Sequence, residues 1–146
     1  IGVEEFDEAI RIYVKDENFK ATNVKTQPHP GFPTDLQPQM LTLLSVASGT
    51  SIVTENVWDN RFKYIDQLHR MGANIIVNGD TALITGVEKL HAAPVEADDL
   101  RAGAAMVIAG LMAEGETIIG NIKLIDRGYE NLEESLRKLS AEIERI

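Results

Sequence analysis

The chain has 146 residues, 44% of them apolar and 25% charged, the proportions of one globular domain with a sizeable core and not those of a disordered chain. A net charge of −9 excludes affinity built on a basic surface, which sets aside non-specific nucleic-acid binding and adsorption to anionic membranes. With no cysteine there is no disulfide framework or thiolate metal site, and the longest apolar run, 102–113, falls short of the roughly 20 residues that span a bilayer.

Residues 9–15, AIRIYVK, alternate apolar with charged side chains, and DEN at 16–18 turns the chain into 19–26, so a β-hairpin is expected there. The loop QPHPGFP at 27–33 carries three prolines and a glycine, which hold the backbone out of helix and make an ordered connection. Thr34 with Gln37 three residues on predicts a capping box opening a helix that runs to about Ser48, with Gly49 as its C′ residue. Residues 50–58 read as a strand, 59–72 as a turn and amphipathic helix, and 73–87 as a second hairpin turning at Asn78 and Gly79. A strand and loop follow at 89–97. Asp98 or Asp99 then caps a helix over 100–113 whose Ala102, Gly103, Ala104, Ala105, Ala109 and Gly110 demand close packing, and Gly115 closes it. Residues 116–127 read as another strand and 128–146 as an amphipathic helix entering a short final strand.

The second half echoes the first. Asp35 matches Asp99 at a spacing of 64, Gly49 matches Gly115 and Arg61 matches Arg127 at 66, and QLHRMGANI at 67–75 matches SLRKLSAEI at 135–143 with Leu68 on Leu136. A period this long is a whole supersecondary unit, strand, strand, helix, strand, helix, so 1–146 is expected to be part of one α+β domain. Internal repeats span about 1–70 and 71–138, residues 139–146 begin a further strand, and helices lie inside a ring of small sheets. IGVEE at the start resembles MGANI at 71–75 and LSAEI at 139–143, each of which follows a helix, so a piece of a longer protein is expected.

Asp35 and Asp99 each stand at a helix start, and Arg61 and Arg127 each stand between a strand and a helix. Pseudo-symmetry would bring the four toward a common edge. Carboxylates there could take a proton from a hydroxyl, and planar guanidinium forks could hold a carboxylate or phosphate at two points, chemistry suited to transfer involving a small phosphorylated acid. The plainer roles are helix caps for the two aspartates, surface ion pairs for the two arginines and partial core for Trp58, which would also suit a wall beside a sugar. His29, His69 and His91 are scattered without ligand spacing, so no metal site is expected.

The segments HPGFPTDLQPQ (29–39), TENVWDNRF (54–62), RMGANI (70–75), ADDLRAGAAMVIAGLMAEG (97–115) and IDRGYE (125–130) resemble the enolpyruvyl transferase family over nearly the whole chain. The resemblance implies an inverse α/β barrel domain of which about two of three repeats are present. It also implies an enzyme that moves the enolpyruvyl group of phosphoenolpyruvate onto the 3′-hydroxyl of UDP-N-acetylglucosamine, releasing phosphate, in the first committed step of bacterial peptidoglycan synthesis. No cofactor and a cytoplasmic location go with that implication. Within it Asp35 is the base beside the sugar hydroxyl, Thr34 contacts the nucleotide sugar, and Val57 and Trp58 give apolar contacts to it. Arg61 and Arg127 hold phosphoenolpyruvate or its phosphate, and Asp99, Leu100 and Arg101 line the closed site.

The family's loop with a reactive cysteine, and the lysine and arginines of its other domain, are absent from this chain, so it is expected to be inactive without the missing N-terminal part of the same protein. Two alternatives stand beside this reading, the shikimate-pathway branch that acts on 3-phosphoshikimate and a non-catalytic binding module.

Overall fold

The computed structural model describes residues 2–13 and 19–146. Strands β1 (Gly2–Phe6) and β2 (Ala9–Tyr13) form an antiparallel hairpin, with Val3 opposite Ile12 and Glu4 opposite Arg11. The alternation expected over 9–15 therefore yields, within the described residues 9–13, a strand whose partner precedes it and is not 19–26. Alternation fixes which face a residue takes and says nothing of the neighbour. The turn expected at 16–18 lies outside the described residues.

The main sheet follows from clean alternation. β3 (Val24–Lys25), β4 (Thr50–Thr54), β5 (Asn74–Asn78) and β6 (Thr81–Thr85) lie in the order β3-β4-β6-β5, with β3 parallel to β4 and the other pairs antiparallel. Ser51, Val53, Ala82, Ile84 and Ile75 turn inward, while Ile52, Leu83 and Ile76 share the outer face in one register row. Asn78 pairs with Thr81, so the two turn residues are Gly79 and Asp80, one place later than expected, with Gly79 at φ +61°.

Helix α1 (Gln37–Leu44) is entered through a 3₁₀ turn at Thr34–Leu36 and ends earlier than expected. The expected capping box does not form: Thr34 Oγ1 donates instead to Glu55 Oε2 at 2.9 Å. Nor does α1 need a side-chain cap. Gln37 N–H donates to Thr34 O, and Pro38 has no N–H to satisfy. Gly49 has the positive φ expected of it, +108°, but it stands past Ser45–Ser48 and leads into β4. Helix α2 (Ile65–Arg70) buries Ile65, Gln67 and Leu68.

Two short parallel sheets follow. β7 (Leu90–His91) pairs with β9 (Ala113–Glu114), and β8 (Val95–Glu96) pairs with β10 (Ile119–Gly120). Between them runs α3 (Leu100–Met112), packed along α1 and against α4 (Lys123–Asp126). Its small residues permit that approach: a Cβ on Gly103 would stand 2.5 Å from Ile125 Cγ1. The strand expected over 116–127 thus shrinks to two residues before α4, and the last helix is α5 (Leu132–Arg137).

Residues 141–146 form no strand here. Arg145 in that segment instead reaches Asp126 at 2.8 and 3.0 Å and Glu133 at 3.1 and 3.2 Å. The two halves share backbone detail. Met71, Gly72 and Ala73 donate to Leu68, His69 and Leu68, and Leu139, Ser140 and Ala141 donate to Leu136, Arg137 and Leu136, with Gly72 and Ser140 both at positive φ.

The core gathers Leu41, Leu44, Val53, Leu68, Met71, Ile84, Leu90 and Met106 between helices and sheets. Among the described residues no helix is long and apolar enough to cross a membrane.

Candidate active site

The 27–33 loop is tied down by Gln27 N–H to Phe32 O at 2.9 Å and Gly31 N–H to Pro28 O at 2.9 Å, and Thr26 N–H reaches Thr54 O on β4 at 2.9 Å. This delivers the Thr34–Leu36 turn beside the segment that follows β4. There Asp35 meets two guanidinium groups. Arg101, in the first turn of α3, donates its Nε–H to Asp35 Oδ1, and Arg61 Nη2 lies 3.3 Å from the same oxygen and 3.5 Å from Thr34 O.

Asp35 is open, with 57% of its side chain exposed, whereas Arg61 is 8% exposed. Its guanidinium carbon stands 5.9 Å from the ring centre of Trp58, which is itself 63% exposed. Arg61 Nε is buried with no hydrogen-bond partner among the described residues. Arg61 is thus no loose surface residue paired to its neighbours: its anionic partner lies 26 positions earlier, and its fork is held ready in part by packing.

The hydrogen bond from Arg101 holds the Asp35 carboxyl below its ordinary range; burial opposes this, and the charges of Arg101 and Arg61 reinforce it. Arg101 is raised by the same bond. Behind them Tyr64 is buried and its phenol is pushed up, chiefly by burial, while its hydroxyl donates to Gln37 Oε1 at 3.3 Å.

Asp99 behaves differently from Asp35. Its Oδ1 accepts from Arg101 N–H at 2.7 Å and Ala102 N–H at 2.8 Å, capping α3. Leu100 packs on the backbone next to Arg127, where a Cβ on Gly128 would come 2.7 Å from Leu100 Cδ2. Arg127 is exposed; its backbone N–H donates to Ile125 O, and its side chain makes no hydrogen bond or ion pair among the described residues. The structure therefore joins Asp35, Arg61 and Arg101, with Thr34 and Trp58 beside them and Val57 on the same turn as Trp58. It leaves Arg127 and the Asp99 carboxylate outside that contact.

Sequence reasoning missed Glu55. This residue, 4% exposed, accepts from Thr26 Oγ1 at 2.7 Å, Thr34 Oγ1 at 2.9 Å, Val57 N–H at 2.9 Å and Trp58 N–H at 3.0 Å. Its only mark in the sequence is a lone carboxylate inside the stretch read as a strand, 50–58, which looks like any solvent-facing strand residue.

The family model described as EPSP synthase (3-phosphoshikimate 1-carboxyvinyltransferase) matches residues 1–136, and the chain belongs to that family. Within it, the chain is 56% identical to the UDP-N-acetylglucosamine 1-carboxyvinyltransferase of Clostridium botulinum, over 100% of this chain and 35% of that protein. It is 51% identical to the protein of the same name from Magnetococcus marinus, over 99% of this chain and 34% of that one. The chain thus spans about a third of the length of these curated relatives. Among solved structures, the enolpyruvyl transferase NikO from Streptomyces tendae superposes with a TM-score of 0.86 at 27% identity, covering 98% of this chain and 33% of that one. The α+β architecture, with its small sheets around packed helices, is that of an enolpyruvyl transferase domain.

Proposed function

We propose that this chain supplies one wall of a transferase site that moves the enolpyruvyl group of phosphoenolpyruvate to the 3′-hydroxyl of UDP-N-acetylglucosamine, releasing phosphate, as in peptidoglycan synthesis. The observation that carries the proposal is the Asp35 carboxylate held between Arg61 and Arg101 where the two halves of the chain meet. The names of the relatives supply the acceptor, UDP-N-acetylglucosamine, and the carboxyvinyl group that is transferred.

A carboxylate held low by ion pairs is a poor base. An anionic substrate that takes up the guanidinium forks removes those pairs, so Asp35 gains proton affinity as the site fills and can accept the proton of the attacking hydroxyl. The hydroxyl oxygen bonds to C2 of phosphoenolpyruvate while C3 gains a proton, and the tetrahedral intermediate then expels phosphate as C3 gives up a proton, which restores the C2–C3 double bond. Arg61, Arg101 and, from across the site, Arg127 hold the phosphate charge as it leaves. Thr34, Val57 and Trp58 border the sugar nucleotide, and Asp99 and Leu100 shape the edge. Inner donors and acceptors from the rest of the protein complete the site, so the chain alone is inactive.

The test is phosphate release from phosphoenolpyruvate with UDP-N-acetylglucosamine, measured for the chain alone and with the remaining two-thirds of the protein added. Turnover only in the mixture is the expected result. Turnover by the chain alone, or a preference for 3-phosphoshikimate as acceptor, would overturn the assignment.

A further inference from the structure

We infer that Glu55 is a positioning residue of this site: its buried carboxylate fixes the Thr34–Asp35 turn against the Val57–Arg61 turn and so sets the distance between Asp35 and Arg61. The inference rests on the transferase reading for its catalytic consequence, but its geometry stands independently of it.

Glu55 follows β4 directly, and its own N–H donates to Asp80 O at the β5–β6 turn at 2.8 Å, so the backbone that carries it is anchored to the main sheet. From that anchor the two carboxylate oxygens reach in different directions. Oε1 takes the N–H groups of Val57 and Trp58 and so curls the chain leading to Arg61. Oε1 also takes Thr26 Oγ1, whose oxygen in turn accepts Asn56 N–H at 2.8 Å. Oε2 takes Thr34 Oγ1, the residue before Asp35. One side chain therefore bridges segments 21 and 29 positions apart in sequence.

Few alternatives could do this work. A residue that only accepts can satisfy four converging donors, and charge-assisted bonds of 2.7–3.0 Å are shorter and stronger than neutral ones. An amide at the same place would present an NH₂ toward one of the donors. Among the described residues the Asp35 carboxylate pairs only with guanidinium groups, and within its own turn the Glu55–Thr34 bond at 2.9 Å is a much shorter tie to the Arg61 side of the site than the 3.5 Å contact of Arg61 Nη2 with Thr34 O. Among the described residues Glu55 makes no hydrogen bond to Asp35 or Arg61, and it acts through Thr26, Thr34 and the 57–61 turn.

Trp58 is the single tryptophan of the chain, and its N–H is one of the four donors, so it reports on this turn directly. In the chain itself, Glu55→Gln should at least double the amplitude of the fast phase of the Trp58 anisotropy decay with the circular dichroism of the helices retained. Thr26→Val keeps volume and removes one hydroxyl donor, so it should move the same amplitude in the same direction by less. It also carries the test if Glu55→Gln does not fold. In the complete transferase, Glu55→Gln should lower kcat at least tenfold with KM for phosphoenolpyruvate within about twofold, and should lower it no further in an Asp35→Asn background.

An unchanged Trp58 decay in the folded variants, or kcat losses that simply add to those of Asp35→Asn, would overturn the inference. If Asp35→Asn alone leaves turnover intact, the catalytic reading of Asp35 fails instead, and the Trp58 decay still decides the positioning role.

Discussion

Asp99 offers a direct separation of a structural role from a chemical one. Its Oδ1 accepts two of the four N–H groups that open α3, at 2.7 and 2.8 Å, and nothing else in the first turn replaces it. Replacing an aspartate cap by alanine costs about 1 kcal/mol, within a range of 0.5–2. Asparagine keeps an acceptor oxygen in the same place and forfeits only the charge–dipole part, roughly 0.3–1 kcal/mol. Urea unfolding of this chain should therefore rank wild type, Asp99→Asn and Asp99→Ala in that order, with Asp99→Ala about 1 kcal/mol below wild type. In thermal melts the alanine variant should fall by about 3–5 °C, the range for a chain between the 100- and 150-residue classes. Equal stability of Asp99→Ala and wild type would refute the cap. Turnover in the complete transferase then answers the second question. An Asp99→Asn protein of near-normal stability that loses most of its kcat has a carboxylate facing substrate, whereas one with normal kcat has only a cap.

Other substitutions test the frame around the site. A Cβ on Gly86 would fall 1.7 Å from Ala47 O, in a stretch where Gly86 N–H bonds Gly49 O at 3.0 Å, so Gly86→Ala should destabilise by about 3 kcal/mol, read as a lowered urea midpoint. The Asp35 carboxyl is lowered in the folded chain. Its contribution to stability is therefore complete above the unfolded value of 3.8 and is lost as pH falls through the lower folded value. Asp35→Asn should flatten the acid limb of a stability–pH profile below about pH 4 and leave the slope above it unchanged, with the difference shrinking in high salt because the group is exposed. Arg145→Ala should speed amide exchange through 123–137, since Arg145 ties Asp126 to Glu133 around the Arg127 turn; unchanged exchange there would dismiss that tie.

Where local physics dominates, the sequence was readable. The small residues of α3, the Asp99 cap and the alternation of β5 and β6 are local signals, and each appears in the structure as an element of the expected kind. The Leu68 and Leu136 alignment likewise coincides with the same three backbone bonds at both places. What failed was partnership at a distance. The alternation at 9–13 could not say that β2 joins β1, and the Thr34 and Gln37 spacing could not reveal that a glutamate 21 residues on would capture the threonine hydroxyl. Arg101 follows the capping aspartate and has nothing local to mark it as the nearest partner of Asp35.

The contrast between the two aspartates explains why matching positions of the two halves do different work. From β8 to α3 only Ala97, Asp98 and Asp99 intervene, so the helix opens at once and Asp99 must spend its carboxylate on the helix's own N–H groups. From β3 to α1 the chain has the longer 27–33 loop and then a 3₁₀ turn, and that turn together with Pro38 leaves α1 without need of a side-chain cap. Asp35 is thereby released from capping and faces outward between Arg61 and Arg101. Shortening the 27–33 loop should return Asp35 to the helix end and dissolve its contact with Arg61, an outcome that Trp58 fluorescence can follow because the Arg61 guanidinium stands over its ring.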